Sequence, residues 1–244
     1  MVVKRERSTY KYVVAGLLTL LVFGLGISLG LLLDNERLQW LEDREEQRDL
    51  DYESLQFQYL YLSTFKNTNE TCKVLKTTLE KSLKELDITL DKLLRYQKGT
   101  EMNEEEYVRL QRRYVLDNIE YWLFSKEAKQ ACNNVDLVTI LYFYSSNHCP
   151  RCSEQGIALT HYKKIFEEKV LVFPLDTDLE EKEPMITILK SQFDITDDST
   201  PIIVIEGEKY EGPIGVEKLG DLICPLFKNN YPECENYLEA TNST

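Results

Sequence analysis

The chain has 244 residues, 43% of them hydrophobic, with six cysteines and a net charge of −13. That length leaves room for one or two domains. An acidic body excludes a nucleic-acid partner, which needs basic surface to displace phosphate counterions.

Lys4, Arg5, Arg7 and Lys11 against Glu6 make residues 1–11 net +3. Tyr12 to Leu33 then runs for 22 residues without a charged side chain. As a helix this would reach ~33 Å, against a bilayer core of ~30 Å. The expectation is a single-pass transmembrane helix over residues 12–33. The positive-inside rule puts the basic segment in the cytoplasm and all later residues outside. A cleaved signal peptide is the alternative, but the stretch is long for a signal core and no A-x-A-like site follows it. Gly26 and Gly30 form a G-x-x-x-G that would let two such helices approach, or simply reflect the glycine content of membrane helices. The sequons at Asn69 and Asn242 are compatible with export.

Residues 34–132 read as an extracytoplasmic helical, coiled-coil-like region. All seven prolines lie at or after Pro150, and no glycine falls between Gly30 and Gly99. A stretch so free of breakers and rich in Glu, Lys, Leu, Gln and Arg favours long helices. Three are expected. The first covers about 35–66, with Leu38, Leu41, Tyr52, Leu55, Tyr59 and Leu62 at helical spacing. The second covers 71–97, with Cys72, Leu75, Leu79, Leu83, Leu86, Leu90, Leu93 and Leu94 as its apolar stripe and Gly99 as its stop. The third starts at Asn103 as N-cap with Glu106 at N3 and carries Tyr107, Leu110, Tyr114, Ile119 and Trp122 toward Cys132. Folded as an antiparallel hairpin about Met102, the last two helices set Cys72 level with Cys132. That predicts a disulfide clipping the open end, the alternative being two thiols in the bundle core. The helical region is also a candidate surface for a homodimer.

After Asn133-Asn134 the chain turns β-branched and proline-punctuated, which marks a domain over 133–223 followed by a tail over 224–244. Leu137 to Ser145 reads as a buried strand, and it leads into Cys149-Pro150-Arg151-Cys152. A helix to about Glu168 follows, then a strand from Val170 to Leu175. A helix with Met185, Ile186, Leu189 and Phe193 precedes Thr200-Pro201, which opens the strand Ile202–Ile205. Lys209 to Glu211 forms a short strand, and Gly215 to Ile223 a last helix. The expected fold class is α/β with the order βαβαββα, because continuous apolar strands separated by helices indicate a sheet covered on both faces.

Two thiols at C-x-x-C spacing, where a strand gives way to a helix, have the local chemistry of a disulfide exchanger. Half a zinc site has the same spacing, with His148 or His161 as further ligands. Structural zinc takes four ligands, and the chain has no second C-x-x-C and only two histidines.

Cys149-x-x-Cys152 after the first strand and Thr200-Pro201 before the third resemble the thioredoxin superfamily, over roughly residues 135–223. The resemblance implies a minimal thioredoxin fold, a cis bond before Pro201, and a substrate groove shaped by Pro150, Thr200 and Pro201. It implies Cys149 as exposed nucleophile at a helix N-terminus and Cys152 as resolving thiol. Arg151 as a neighbouring cation, and His148 when protonated, would lower the thiolate pKa and make the disulfide more oxidising. Many relatives keep Trp before the first cysteine, where this chain has His148, and a buried carboxylate six residues before it, where this chain has Phe143. Cys224 and Cys234 are expected to close a local structural disulfide.

The leading expectation is a membrane-anchored, DsbA-like thiol–disulfide oxidoreductase needing no cofactor or metal. It would oxidise cysteine pairs of exported proteins and be recycled by a membrane redox partner. The alternative is a membrane-tethered helical interaction module carrying an inactive thioredoxin-like platform.

Overall fold

The computed structural model describes residues 10, 13–28, 30, 68–97, 104–196 and 200–235. The basic segment, the helix expected at 35–66, Gly99, Met102, Asn103 and the Asn242 sequon lie outside the described residues. The chain divides into two units, residues 1–64 and 65–244.

In the first unit, residues 13–28 form helix α1, with exposed side chains. No helix among the described residues is long and apolar enough to cross a membrane. The expected single-pass placement, with its cytoplasmic N-terminus and extracytoplasmic domain, is therefore corrected. An uncharged stretch reports hydropathy; a span needs that hydropathy carried by one helix of sufficient length.

The second unit begins with helices α2 (Thr68–Gln97) and α3 (Glu104–Ala131). Glu104, Glu105 and Glu106 occupy the first turn of α3, and Lys129 its last, complementing the helix dipole at both ends. The contact line of α2 differs from the expected leucine stripe. Thr71, Leu75, Thr78, Ser82, Thr89 and Leu93 are buried, while Leu79, Leu83, Leu86 and Leu90 are half-buried and Leu94 is exposed. Small hydroxyl residues let the helices approach closely and find partners locally. Thr78 donates to the Val74 carbonyl at 3.0 Å, Ser82 to Glu120 at 3.0 Å and Thr89 to Asp117 at 2.7 Å. Asp117 is buried and also receives the Arg113 guanidinium at 2.8 Å. Cys72 and Cys132 are joined by a disulfide at the open end of the hairpin.

Strands β1 (Val138–Tyr144), β2 (Val170–Asp176), β3 (Ile202–Ile205) and β4 (Glu208–Glu211) form one sheet in the order β2-β1-β3-β4. β1 runs parallel to β2, with Val138 level with Val170 and Tyr144 level with Asp176. β3 is antiparallel to both β1 and β4. The β3–β4 hairpin turns on Glu206 and Gly207, with φ of 51° and 98°, the two positive angles that a two-residue type I′ turn requires. Glu206 is held there by the Thr139 amide at 2.6 Å and by Lys129 at 2.6 Å.

Alternation along the strands sends residues to two cores. Val138, Ile140, Tyr142, Val170, Ile203 and Ile205 face helices α4 (Cys152–Phe166) and α6 (Val216–Ile223). Leu141, Phe143, Phe173, Leu175, Ile202 and Val204 face α3 and helix α5 (Pro184–Gln192). From α3 come Val115, Ile119 and Trp122, and Tyr121 meets Phe173 edge-on at 5.7 Å. The turn at Asn133-Asn134 therefore joins elements of a single compact unit.

The expected α/β class is also corrected. Helices of 30, 28, 15, 9 and 8 residues outweigh strands of 7, 7, 4 and 4. The protein is mainly helical, with a small mixed sheet. The reason is that α3 is both half of the hairpin and a layer of the sheet.

The C-terminal tail is pinned to the start of β1. Asp136 accepts from the Lys228 amide at 2.8 Å, the Asn229 amide at 3.0 Å, Asn229 Nδ2 at 2.8 Å and Tyr231 Oη at 3.0 Å. Phe227 and Tyr231 pack edge to face against each other and on Phe166, and Cys224–Cys234 closes the loop. Desolvation is the largest single influence on Asp136 and raises its pKa, but the donated hydrogen bonds together outweigh it and hold the carboxyl below its ordinary value. A depressed folded pKa stabilises above the unfolded value of ~3.9 and is lost as pH falls through the folded one. Asp136→Asn is expected to cost about 1–3 kcal/mol at pH 7. That cost shrinks below about pH 4, as read from urea midpoints across pH; a cost independent of pH would contradict this account.

Candidate functional site

The C-terminal ends of β1 and β2 and the start of β3 meet at one sheet edge, and the C-x-x-C loop lies there. Cys149 and Cys152 are joined by a disulfide. Cys149 is half-buried, while Cys152 is 7% exposed and belongs to the α4-side core. Pro150 and Arg151 occupy a turn, and α4 starts at Cys152. Cys149, expected at the helix N-terminus, lies three residues ahead of the first helical residue. The Cys152 N–H is taken by the Cys149 carbonyl at 3.3 Å, which closes a turn ahead of the first helical residue.

Two serines and two aspartates anchor the loop. Ser145 Oγ donates to Asp178 at 2.7 Å and accepts from the His148 amide at 2.8 Å. Ser146 Oγ donates to Asp176 at 2.6 Å, and the Asn147 amide to Asp178 at 2.8 Å. Burial pushes the Asp176 carboxyl above its ordinary value. At Asp178 desolvation also raises the pKa, but hydrogen bonds from Ser145, Asn147 and His148 outweigh it and leave the carboxyl lowered. The parallel register sets Asp176 beside Tyr144, on the strand face that carries α4. Below them Tyr142 Oη donates to the Cys152 carbonyl at 2.5 Å, and burial raises the Tyr142 pKa to about 12. The Tyr142 and Tyr144 rings stack at 5.3 Å.

Pro201 joins the same edge. Ile140 pairs with Ile205 and Phe143 with Ile202, so one further step in each strand sets Tyr144 level with Pro201. Strand alternation places Pro201 on the face of Ile203 and Ile205, which is the face of α4. The Thr200–Pro201 bond is cis, Pro201 is buried, Thr200 is half-buried, and the Pro201 carbonyl accepts from Gly212 at 2.9 Å.

Arg151 and His148, the two residues assigned to tune the site, are both exposed. Arg151 pairs with Glu154 at 3.3 Å, with the two side chains 63% and 60% exposed. His148 is 84% exposed, with Nδ1 at 3.7 Å from Asp178. Arg151 therefore brings its own carboxylate, so the net positive charge it offers Cys149 is small. Phe143 is fully buried on the opposite face, against α3 and α5. Cys72–Cys132 and Cys224–Cys234 are disulfides elsewhere in the unit. Among the described residues no group of three or more His, Cys, Asp or Glu side chains is placed to hold a metal ion.

Ser145, Ser146, Asp176, Asp178, Tyr142 and Gln155 were not singled out by the sequence reading. A signal existed for the aspartates: in a parallel pair the residues ending both strands reach one edge, which is where α/β sheets bind ligands.

No family model matches the chain, and no curated protein matches it. Among solved structures, one described as "Structure of a malarial protein" is similar at 19% identity over 34% of this chain and 89% of that chain, with a TM-score of 0.28. At that score the likeness carries no argument.

Proposed function

We propose that this protein is a thiol–disulfide oxidoreductase whose working centre is Cys149–Cys152, with the thioredoxin-like resemblance lying in that centre and in Pro201. The observation that carries the reading is a disulfide at a sheet edge, immediately before a helix, with one half-buried and one buried cysteine. Such asymmetry separates an attackable sulfur from a leaving one.

In the oxidising direction, a substrate thiolate attacks Cys149 Sγ. The Cys149–Cys152 bond breaks and its electron pair leaves on Cys152. A second substrate thiolate then attacks the substrate sulfur of the mixed disulfide and releases Cys149. The substrate loses two electrons and two protons and gains a disulfide; the protein gains both. A redox partner carrying a disulfide must then reoxidise the centre. The substrates are cysteine-containing segments of proteins that reach the half-buried Cys149.

The test is an exchange assay on a dithiol peptide. Cys149→Ser is expected to reduce exchange to the uncatalysed rate, while Cys72–Cys132 and Cys224–Cys234 stay closed. Equal rates for the variant and the parent would remove the proposal and leave the edge as a binding platform.

A further inference from the structure

Gln155 lies in α4 one turn beyond Cys152 and is fully buried. Its Oε1 accepts from the Ile214 amide at 2.7 Å. That backbone donor fixes which end of the amide is oxygen. The other end, Nε2, is a buried donor with no hydrogen-bond partner among the described residues. Leaving such a donor unpaired costs ~1–3 kcal/mol, so a native fold retains one where something else uses it.

The geometry indicates what that is. Side chains three apart share a helix face. A helical side chain also leans back over the turn N-terminal to it, which for Gln155 is the turn starting at Cys152. Ile214, whose amide holds Oε1, packs in the same buried cluster as Cys152. A sulfur in a disulfide is a poor acceptor, and a thiolate is a strong one. We propose that Gln155 donates through Nε2 to the Cys152 sulfur once the Cys149–Cys152 bond opens, holding it as a buried thiolate. The inference rests on the exchange reading above and assigns the group that receives the leaving sulfur. Tyr142 does not fill that role, because its hydroxyl is committed to the Cys152 carbonyl and stays protonated with a pKa of about 12. Arg151 and Glu154 pair with each other in solvent.

The measurement is the equilibrium of the full chain with glutathione. Two glutathione thiols give two electrons to the Cys149–Cys152 disulfide and leave as glutathione disulfide; one of their protons goes to Cys149 and the other to solvent while Cys152 is held as thiolate. Gln155→Leu removes donor and acceptor. Gln155→Glu keeps an acceptor for Ile214 and places negative charge by the sulfur. Both are expected to shift the equilibrium about tenfold toward the disulfide, or ~30 mV more negative. A purely structural role would destabilise the oxidised and reduced forms alike and leave this equilibrium unmoved. A second readout is independent of exchange. In a Cys149→Ser background, Gln155→Leu is expected to raise by about one unit the pH at which Cys152 becomes alkylated, a tenfold change in thiolate stability. If the leucine variants do not fold, the glutamate variants carry both measurements. Unmoved equilibrium and alkylation, with peptide exchange intact, overturn the role of Gln155 alone. An alkylation shift without peptide exchange supports the donor and overturns the exchange reading.

Discussion

Replacing Cys152 by serine is expected to convert the protein into a trap that accumulates a covalent mixed disulfide between Cys149 and its substrate. Cys152 is buried one turn from Cys149, with its sulfur already at bonding distance. Such an intramolecular thiol acts at an effective concentration far above molar, whereas free glutathione in solution is millimolar. Release of a trapped substrate should therefore slow by ~10³-fold or more. Non-reducing electrophoresis and mass spectrometry of Cys152→Ser after incubation with a disulfide-bonded peptide, whose disulfide the Cys149 thiolate opens with release of the peptide's second thiolate, would show the adduct, cleared by dithiothreitol. Cys149→Ser, which lacks the half-buried sulfur, should form none. Adducts carried equally by Cys152 in the converse variant would reverse the assignment of attacked and leaving sulfurs.

Phe143→Ala is expected to cost about 3–5 kcal/mol of stability, as large aromatic deletions in a closed core do. Phe143 has 0% exposure and packs in the cluster that joins the sheet to Val115, Ile119 and Trp122 of α3. The cavity would open where three layers meet: the hairpin, the sheet and α5. Because α3 belongs to two of them, hairpin and sheet should unfold in one transition whose midpoint moves as a whole. Urea unfolding followed by far-ultraviolet circular dichroism measures both points. A cost under about 1 kcal/mol, or two separate transitions, would show that α3 and the sheet are independent.

The hairpin was readable because helices of equal rise bring residues at equal distance from the tip level with one another, and Cys72 and Cys132 stand at such distances. The strands were readable because apolar runs bounded by proline and glycine leave few alternatives. The polar contact line of α2 was not. Leucine periodicity marks an apolar stripe, but Thr78, Ser82 and Thr89 are buried because small hydroxyls permit close approach and Asp117 and Glu120 stand opposite them. The union of hairpin and sheet was hidden by the composition change at Asn133-Asn134, since composition follows local structure and domains follow packing. The uncharged run from Tyr12 to Leu33 misled in a similar way, because hydropathy was read as a span. At the site, the two cysteines could be named from spacing, and Pro201 only from the thioredoxin-like resemblance. Asp176, Asp178 and Gln155 could not, because their roles depend on parallel register and on one amide of the Ile214 loop.

The most direct test of the central claim is a redox titration of the intact protein in glutathione buffers, with each of the three disulfides followed by alkylation and peptide mapping. Structural disulfides lie below ~−300 mV, while working centres span ~−120 to −270 mV. Cys149–Cys152 is expected to open within the working range while Cys72–Cys132 and Cys224–Cys234 remain closed. If Cys149–Cys152 stays closed with the other two at every glutathione ratio, it is a structural clip, and the protein is not a thiol–disulfide oxidoreductase.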